Sequence, residues 1–335
     1  MQFPTRRLRR LRKTAKMRSL VRETTLLPSD LVCPVFVQEG INERVTVRSM
    51  PGMQRLPLSD VTGEVESIKS AGIPAIMLFG LPSSKDDAGS SAFDRDGIVQ
   101  RAASEVSRAF GDDIVIMSDV CLCQYTLSGH CGVIRDGHDR SGGGSPVIDN
   151  DSSLEVLAKI AVSQAESGVD VVAPSAMMDG QVSAIRTALD DSGFSDVLVM
   201  SHSAKHRSGF YSPFRDAAEC APQFGDRSTY QMPYTNAREA MMEVETDVEE
   251  GADIVMIKPA LAYLDLVAEA RRRLDLPVAA YSTSGEYALV RAAAAAGYVD
   301  GTQIALEMLT SIKRAGADII VTYFAKDVAG SLLAE

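Results

Sequence analysis

Eight short apolar segments, each followed by a stretch with helical spacing, recur along the 335 residues of this chain. Strands that alternate with helices are typical of a parallel sheet, and eight such units are the number that closes a barrel. An open, doubly wound sheet is the alternative, but no G-x-G-x-x-G follows the first segment and no P-loop occurs. We therefore predict an α/β protein with a (β/α)8 TIM barrel. The predicted strands are Val32–Val37, Ala75–Gly80, Ile114–Val120, Val171–Ser175, Val197–Ser203, Asp253–Pro259, Leu276–Ser282 and Asp318–Phe324.

Helical spacing of apolar residues, often closed by Gly, predicts the intervening helices. The clearest are Asp151–Ser167, Gly180–Asp191, Ala237–Gly251, Tyr263–Leu274, Gly285–Gly297 and Gln303–Gly316. We expect an N-terminal oligomerisation arm at 1–28 and a catalytic barrel at 29–335. Two connections, at about 121–150 and 204–236, are long for a compact domain. Long ordered loops of this kind are usually lids or binding loops.

The net charge of −11 is unevenly distributed. Residues 1–22 carry nine Lys or Arg and no acidic residue, which leaves the other 313 residues with 25 basic and 45 acidic side chains. An acidic body argues against nucleic acid as the main partner. The basic arm has three interpretations: a transit peptide, a nucleic-acid arm, or an arm that docks on an acidic neighbouring subunit. We favour the last.

No run of apolar residues approaches the length of a membrane helix, so we expect no membrane association. Five cysteines are too few and too unevenly spread for a disulfide scaffold, which predicts a reducing compartment. Without a convincing targeting segment, we expect a cytoplasmic protein.

Two lysines follow predicted strands. Lys258 ends the apolar run from Ile254, and Lys205 follows the fifth strand. A lysine at the end of a buried strand loses hydration, which lowers its pKa and frees the neutral amine to attack a carbonyl. Two cations facing one cavity would lower each other's pKa further. The alternative is a pair of lysines that reach solvent at the barrel rim.

Three cysteines lie within eleven residues. Thiolates at the C-x-C-x7-C spacing of Cys121, Cys123 and Cys131 can converge on one soft cation, for which Zn²⁺ fits best. With three protein ligands the fourth position stays open for water or substrate, as in catalytic zinc sites. His130 is a candidate fourth ligand that would close the site. The other interpretation is that these are unrelated loop thiols.

Further polar residues follow strands or lie in the second long loop. In a barrel, catalytic groups lie where strands finish at the carboxyl-terminal face. An arginine pair in the 204–236 loop suits a substrate carboxylate, although each arginine alone is more often a surface ion-pair partner. Hydroxyls on later strands suit a second carboxylate. These candidates are Asp119, Arg215, Arg227, Tyr281, Ser284 and Tyr323.

Along nearly its whole length the chain resembles the porphobilinogen synthase (5-aminolevulinate dehydratase) family. The matching stretches are Met17–Thr24, Asp119–Gly132, Ala173–Ser175, Met178–Gly180, Tyr211–Ala217, Phe224–Arg227, Tyr230–Met232, Met256–Pro259, Tyr263–Asp265, Ser284–Glu286 and Arg314–Asp318. The resemblance implies a TIM barrel whose arm wraps a neighbour, usually in a homo-octamer. It also implies a hydro-lyase that condenses two 5-aminolevulinate molecules to porphobilinogen in tetrapyrrole (haem) biosynthesis.

The resemblance also implies residue roles. Lys258 matches the lysine that forms a Schiff base with the first substrate, and Lys205 the second active-site lysine. Asp119 would lie beside the zinc site as a proton-handling or orienting group. Arg215, Arg227 and Gln231 match the carboxylate-binding loop for the second substrate, and Tyr281, Ser284 and Tyr323 lie at the site of the first.

Metal sites follow from the same resemblance. Cys121, Cys123 and Cys131 match the catalytic zinc ligands. Glu243 falls where many relatives bind an allosteric Mg²⁺, although a solvated helix carboxylate is the alternative.

Four positions depart from the family pattern. Leu127 and Ser128 stand where relatives commonly have Ser and His, a change that bears on loop closure and zinc retention. Thr229 replaces a cysteine that serves an additional zinc site in some animal relatives, so we do not predict that site. Ala176 replaces an acidic residue. Two rival functions are a class I aldolase, which needs one lysine and no zinc, and a non-enzymatic zinc-binding protein, which needs no lysine.

Overall fold

The computed structural model describes residues 3–135 and 147–333. Residues 136–146, which include His138 and part of the predicted 121–150 loop, lie outside the described residues, as do 1–2 and 334–335 of the predicted arm and barrel. The described strands are β1 (Leu31–Gln38), β2 (Val45–Thr46), β3 (Gln54–Leu56), β4 (Ala75–Leu81), β5 (Val115–Val120), β6 (Val133–Arg135), β7 (Val147–Asp149), β8 (Val171–Pro174), β9 (Leu198–Lys205), β10 (Ile254–Lys258), β11 (Val278–Ser282) and β12 (Ile319–Thr322).

The described α-helices are α1 (Ala15–Leu20), α2 (Val61–Ser70), α3 (Ile98–Phe110), α4 (Asn150–Glu166), α5 (Gln181–Asp191), α6 (Ser212–Ala217), α7 (Ala237–Glu249), α8 (Leu264–Arg273), α9 (Ser284–Ala295), α10 (Gly301–Ala315) and α11 (Ala325–Leu333). Short 3₁₀ turns occupy Leu8–Arg12, Pro28–Asp30, Leu58–Asp60, Ser90–Ala92, Gly111–Asp113, Gly209–Tyr211 and Leu261–Tyr263. None of the described helices combines the length and apolar character needed to cross a membrane.

Eight parallel strands close into a barrel. Strands β1, β4, β5 and β8 to β12 pair in that order, and β12 pairs back to β1 through Leu31↔Ile320 and Val32↔Val321. The predicted TIM barrel is therefore confirmed, and each of the eight predicted strands overlaps one barrel strand. These strands are buried almost throughout because side chains fill the barrel on one face and helices cover the other.

The register of β9 against β10 contains a β-bulge that matters for the site. The Cα partners are Val255↔Ser201 and then Ile257↔Ala204, so His202 and Ser203 together face Met256. An extra residue in one strand changes the alternation of side chains beyond it. The bulge lets His202 and Lys205 share the inner face, although they are three residues apart.

The N-terminal arm stands away from the barrel. All residues from Phe3 to Glu23 are exposed, including the apolar side chains of Leu8, Leu11 and Leu20. Its helix α1 begins after Thr14, whose hydroxyl accepts a hydrogen bond from the backbone N–H of Met17 at 3.1 Å. Exposed leucines on a basic segment leave apolar surface in water within this single chain.

Candidate active site

Two lysines meet at the carboxyl-terminal end of the barrel. Lys205 and Lys258 are direct Cα partners across the β9–β10 ladder, and both side chains are buried. Lys205 Nζ donates to the carbonyl oxygen of Ser175, whereas Lys258 Nζ lies 3.9 Å from the ring centroid of Tyr281. The structure therefore brings the two predicted lysines together and holds one by a hydrogen bond and the other against an aromatic face.

Burial and, after it, the positive charge of Lys205 together lower the pKa of the Lys258 amine from 10.5 to about 7, against the opposing effect of Asp119. A large fraction of Lys258 is therefore the neutral amine at neutral pH. Only the neutral amine carries the lone pair that adds to a carbonyl, so this lysine is suited to imine formation.

We expect a pH dependence from this shift. Because the neutral amine is the nucleophile and protonation removes it, the rate of imine formation should be near its plateau above about pH 8. It should fall about tenfold per pH unit well below pH 7. The measurement is the yield of borohydride-trapped adduct at Lys258 at fixed short times from pH 5.5 to 9. An ordinary lysine would still lose reactivity steadily between pH 9 and pH 7, and that profile would contradict the assignment.

The predicted cysteines converge. The sulfur atoms of Cys121, Cys123 and Cys131 all lie within 4.8 Å of one another. In the described part of the chain, no other group of three or more His, Cys, Asp or Glu side chains brings its potential ligand atoms this close together. All three are free thiols and are buried. Thiol hydrogen bonds from Cys121 and Cys123 hold the pKa of Cys131 well below its ordinary value, and the charges of Arg227 and Lys205 add to this. A buried thiolate set with this spacing fits a soft cation.

His130 lies beside the cysteines but turns its ring away from them. Its Nε2 donates to the carbonyl oxygen of Phe224 at 3.0 Å, so its Nδ1 accepts from the hydroxyl of Tyr230 at 2.9 Å. Both ring nitrogens are therefore engaged, and His130 does not complete the cysteine set. The site keeps three protein ligands, which is the pattern of catalytic rather than structural zinc sites.

Asp119 is held firmly at the end of β5. Its carboxylate accepts hydrogen bonds from Ser175 Oγ at 2.6 Å and from Gln124 Nε2 at 3.2 Å. The backbone of Ser175 also accepts from Lys205, so one residue of the β8 end positions both a carboxylate and an amine. Asp119 acts on Lys258 electrostatically. The Asp119 charge therefore acts on both Lys258 and Cys121.

The predicted carboxylate-binding residues retain unpaired polar atoms. Within residues 3–135 and 147–333, the buried Nε atoms of Arg215 and Arg227 and both amide atoms of Gln231 have no hydrogen-bond partner. Arg227 and Gln231 are 4% and 2% exposed. Buried polar groups without partners are costly and rare in folded proteins, and a ligand that binds there would satisfy them.

The hydroxyl groups predicted to bind the carboxylate of the first substrate already have hydrogen-bond partners within the protein. The hydroxyl oxygens of Tyr281 and Tyr323 are 3.1 Å apart, deep in the barrel. Ser284 Oγ donates to the carbonyl oxygen of Phe210 at 3.2 Å and accepts from the backbone N–H of Phe214 at 3.0 Å. In this conformation Ser284 therefore fastens the second long loop to α9.

That loop, residues 206–236, covers the site, and we call it the lid. The cavity beneath it has a volume of about 20 Å³, about enough for one water molecule. Arg55 fastens the lid from outside, through the carbonyl oxygen of Asp216 at 2.6 Å and an ion pair with Glu219. Two substrate molecules therefore require the lid to open. The cavity is lined by Lys205, Tyr211, Phe214, Arg227, Lys258, Tyr281, Thr283, Ser284 and Tyr323.

Gly285 is required where the lid meets α9. A Cβ there would lie 2.6 Å from the backbone of Phe210, closer than packed atoms allow. Only glycine permits this approach. The close packing brings the lid over Lys258, and Tyr211 then donates its hydroxyl proton to the Lys258 carbonyl oxygen at 3.0 Å.

Glu243 lies on α7, outside the lysine cavity. It lines a separate cavity of about 350 Å³ that also contains Asp179 and Glu239. Burial, followed by the neighbouring charges of Asp247 and Asp179, raises the pKa of Glu243 to about 7. The described residues offer no ready-made set of three metal-ligating oxygens here.

The residues that depart from the family pattern are compatible with the structure around the cysteines. Ser128 Oγ donates to Thr126 Oγ1 at 3.3 Å and accepts from the backbone N–H of His130 at 3.2 Å, so it closes the turn before Cys131. Leu127 is exposed, and Ala176 is fully buried. None of these residues disturbs the convergence of the three cysteines.

Sequence reasoning missed several residues that hold the site together. Gln124 orients Asp119, and Tyr211 belongs to the lid. The Cys220 thiol contacts Cys123, and the Cys220 carbonyl oxygen accepts from Arg227 at 2.7 Å. Gln124 and Tyr211 lie within the family-like stretches, which was the available signal. Cys220 lies outside them and had no signal.

An eight-stranded barrel with two buried lysines and a cysteine cluster at the carboxyl ends of its strands defines an enzyme of the TIM-barrel class. The sequence profile of the family described as delta-aminolevulinic acid dehydratase matches residues 5–331. The chain belongs to this family, and it is a hydro-lyase.

Individual relatives are similar over their full length. A delta-aminolevulinic acid dehydratase of Archaeoglobus fulgidus is 52% identical over 331 residues, which is 99% of each chain. One from Halalkalibacterium halodurans is 52% identical over 323 residues, covering 96% of this chain and 95% of the relative. The crystal structure of the Toxoplasma gondii ME49 enzyme, in complex with the reaction product porphobilinogen, superposes with a TM-score of 0.92 at 42% identity, covering 99% of this chain and 92% of the other. The predicted family and dehydratase activity are thus confirmed, and the aldolase and non-enzymatic alternatives are not.

Proposed function

We propose that this enzyme condenses two 5-aminolevulinate molecules to porphobilinogen, with loss of two waters, through an imine at Lys258. The observation that carries the proposal is the pair of buried lysines that face each other at the carboxyl ends of β9 and β10. A single Schiff-base lysine serves one carbonyl substrate. A second amine in the same cavity suits a reaction that joins two carbonyl compounds.

The residues on the two sides of the cavity bind different substrate molecules. The first molecule condenses with Lys258, and its carboxylate lies toward Ser284 and Tyr323, with Tyr281 packed beneath the amine. The second places its carboxylate on Arg215, Arg227 and Gln231, whose unpaired atoms lie on the lid side. With the lid open far enough to admit both molecules, the site holds them in one orientation, which replaces a bimolecular encounter with an oriented one.

The residues that hold the catalytic metal are Cys121, Cys123 and Cys131, and we propose Zn²⁺ as that metal. Three buried thiolates without a fourth protein ligand support this assignment. A bound zinc ion supplies Lewis-acid chemistry that polarises a carbonyl or lowers the pKa of a bound water. Arg227 and Lys205 add positive charge beside the thiolates.

Asp119 handles or orients protons in this scheme. Its carboxylate is fixed by Ser175 and Gln124, and its charge acts on both Lys258 and Cys121. Condensation releases protons from substrate carbon and nitrogen, and a carboxylate fixed beside the reacting amines can accept them. Lys205, held by the Ser175 carbonyl oxygen, positions the second substrate across from Lys258.

The direct test is pyrrole formation from 5-aminolevulinate by the purified protein, with a chelator and then with zinc restored. We expect product to disappear on chelation and to return with zinc. Activity that is untouched by the chelator would remove zinc from the proposal and keep the condensation. Absence of product under every condition would overturn the condensation itself.

Gln231→Met tests the carboxylate site and separates binding from folding. Because both amide atoms of buried Gln231 lack partners in the described chain, the substitution should leave the melting temperature unchanged or raise it. The KM for 5-aminolevulinate should rise about 10- to 100-fold, which corresponds to about 1.5–3 kcal/mol for hydrogen bonds to a charged group. Steady-state kinetics and thermal melts measure the two effects. A lower melting temperature with an unchanged KM would mean that Gln231 is structural.

We also propose that Glu243 binds Mg²⁺ as an allosteric activator. The acidic cavity with Asp179 and Glu239 supports this, since Mg²⁺ usually keeps several waters and needs only one or two carboxylates. Glu243→Gln should abolish activation by added Mg²⁺ and leave the activity without Mg²⁺ within about twofold. The same titration on Glu249→Gln, at the end of α7, is the matched control. Equal activation in both variants would contradict the assignment.

Oligomerisation through the arm completes the proposal. We propose that residues 1–28 dock on an acidic neighbouring subunit and that the enzyme is a homo-octamer in the cytoplasm. The basic charge of the arm and the exposed Leu8, Leu11 and Leu20 support docking. Its product enters porphyrin and haem biosynthesis.

A further inference from the structure

His202 is a buried histidine that the mechanism above does not use. Its side chain is fully buried in β9, and its Nδ1 lies 3.1 Å from the carbonyl oxygen of Pro174, at the end of β8. A carbonyl oxygen only accepts, so Nδ1 carries the proton and the ring is the neutral tautomer with a lone pair on Nε2. That Nε2 is buried and has no hydrogen-bond partner among the described residues.

The bulge in β9 places the His202 side chain on the inner face of the barrel, near Tyr281. Lys205 faces the cavity beside Lys258, and His202 lies on the same inner face, three residues earlier and therefore deeper in the barrel. Its ring centroid is 6.3 Å from that of Tyr281, and Lys258 Nζ lies 3.9 Å from the same Tyr281 ring. The imidazole and the amine thus contact the same aromatic side chain.

The electrostatic environment agrees with this placement. Burial lowers the pKa of His202 well below its usual value, and among the charges that act on it Lys258 comes first and Lys205 second. Pro174 contributes only its carbonyl oxygen, and Tyr281 a neutral ring. Asp119, Cys121 and Cys123 act on the pKa of Lys258 in the opposite sense to burial and Lys205. His202 therefore stays neutral and remains a hydrogen-bond acceptor.

We propose that His202 is a positioning residue for Lys258: when the Lys258 amine leaves its place over the Tyr281 ring to meet a substrate, the unpaired Nε2 of His202 accepts a hydrogen bond from it and turns the nitrogen lone pair toward the mouth of the barrel. This inference rests on the proposed function in that Lys258 is the imine-forming lysine. A contact from the deep side leaves the open side of the nitrogen to the incoming carbonyl carbon. His202 itself touches no reacting carbon.

The contact has two consequences that can be measured. An acceptor stabilises the ammonium form more than the neutral amine, so its loss should shift the acid limb of Lys258 reactivity to lower pH by about 0.5–1 unit. The plateau rate of imine formation should fall about 3- to 10-fold, the factor expected for one net hydrogen bond. A purely structural role would lower the plateau and leave the limb in place.

His202→Asn is the main variant, because its amide nitrogen replaces Nδ1 and keeps the bond to Pro174, while nothing replaces Nε2. His202→Gln is the rescue variant, because its longer side chain carries an amide oxygen to the position of Nε2. His206→Asn is the matched control. His206 is also buried and has an unpaired Nδ1, but its ring stacks on Tyr263 at 4.3 Å. It meets Lys258 at the backbone, where its N–H donates to the Lys258 carbonyl oxygen at 3.1 Å, and this N–H is kept in the Asn variant.

The probe is levulinic acid, a keto acid without the amino group, trapped by borohydride and located by peptide mass analysis between pH 5 and 9. We expect the acid limb of the adduct-yield profile to shift to lower pH in His202→Asn, to return toward the wild-type position in His202→Gln, and to stay in place in His206→Asn. An acid limb at the wild-type pH in His202→Asn overturns the inference, as does an equal shift in the Asn and Gln variants of His202.

A second probe separates failure of this inference from failure of the proposed function. Acetylation of Lys258 by acetic anhydride, corrected for hydrolysis of the reagent, also requires the neutral amine but no enzyme activity. If the wild-type protein gives no levulinate adduct at Lys258, the imine proposal fails. The acid limb of the acetylation profile still decides whether His202 contacts the amine: a shift in the Asn variant supports the contact, and a superimposable profile overturns it.

Discussion

Lys258→Met should abolish both the trapped imine and pyrrole formation. Methionine fills a similar volume in the buried site beside Tyr281 and removes the amine, so the fold should persist while the covalent route is lost. We expect kcat to fall on the order of 10⁴-fold or more, as when the nucleophile of a covalent enzyme is removed. The measurements are pyrrole formation and borohydride trapping of substrate, with peptide mapping of the adduct.

Lys205→Met is the matched control, because it makes the same exchange on the neighbouring strand. It should lose turnover and still give a trapped adduct at Lys258. The loss of the Lys205 amine should also raise the pKa of Lys258, because the positive charge of Lys205 lowers that pKa in the wild-type protein. An adduct that persists at undiminished yield in Lys258→Met would show that another residue forms the imine.

The barrel and the position of its catalytic face were predictable from the sequence. Barrel strands are buried on both faces, so they appear as short apolar runs such as Ala75–Gly80, and the helices between them keep a 3.6-residue period. Elements without that contrast were missed. The hairpin of β2 and β3 is two and three residues long, and α6 lies inside a loop. Their formation depends on tertiary contacts rather than on local pattern.

The chemistry of the site was predictable where residue type and spacing were distinctive, as for the cysteine triplet and Lys258. Three features were not. The β-bulge that turns His202 inward is a property of the β9–β10 register, and no local residue marks it. The engagement of His130 by Phe224 and Tyr230 depends on a loop about one hundred residues away. The closed lid places Ser284 in a structural contact that sequence spacing alone does not indicate.

These long-range contacts connect the metal-ligating loop to the lid. Arg227 Nη2 donates to the carbonyl oxygen of Gly129 at 2.9 Å, and the backbone N–H of Gln223 donates to the Ser128 carbonyl oxygen at 2.9 Å. His130 adds its bonds to Phe224 and Tyr230. A structural change in the cysteine loop would therefore also shift the lid, which carries the carboxylate-binding residues. We expect metal binding and lid closure to be coupled.

Cys131→Ala should cost the enzyme its metal and its activity together. Cys131 is the cysteine whose thiolate the surroundings stabilise most, through thiol hydrogen bonds and the charges of Arg227 and Lys205. Removing it leaves two cysteines of the three, and two protein ligands bind a cation more weakly than three. We expect zinc affinity to fall by more than the about 10- to 100-fold that loss of a supporting residue costs. Competition with a chromophoric chelator measures the affinity, and pyrrole formation measures the activity.

Cys33→Ala makes the same chemical change at a distance from the cluster. Cys33 is a buried free thiol in β1 whose pKa burial raises to about 12, so it contributes neither a thiolate nor a ligand to the site. Both variants create a similar small cavity in the barrel, and a loss of stability should therefore be common to both. Only Cys131→Ala should lose zinc, and it should also release the lid, which limited proteolysis within residues 206–236 would detect. Zinc affinity unchanged from wild type in Cys131→Ala would overturn the three-cysteine site, because the two remaining thiols cannot supply the charge that a third thiolate provides.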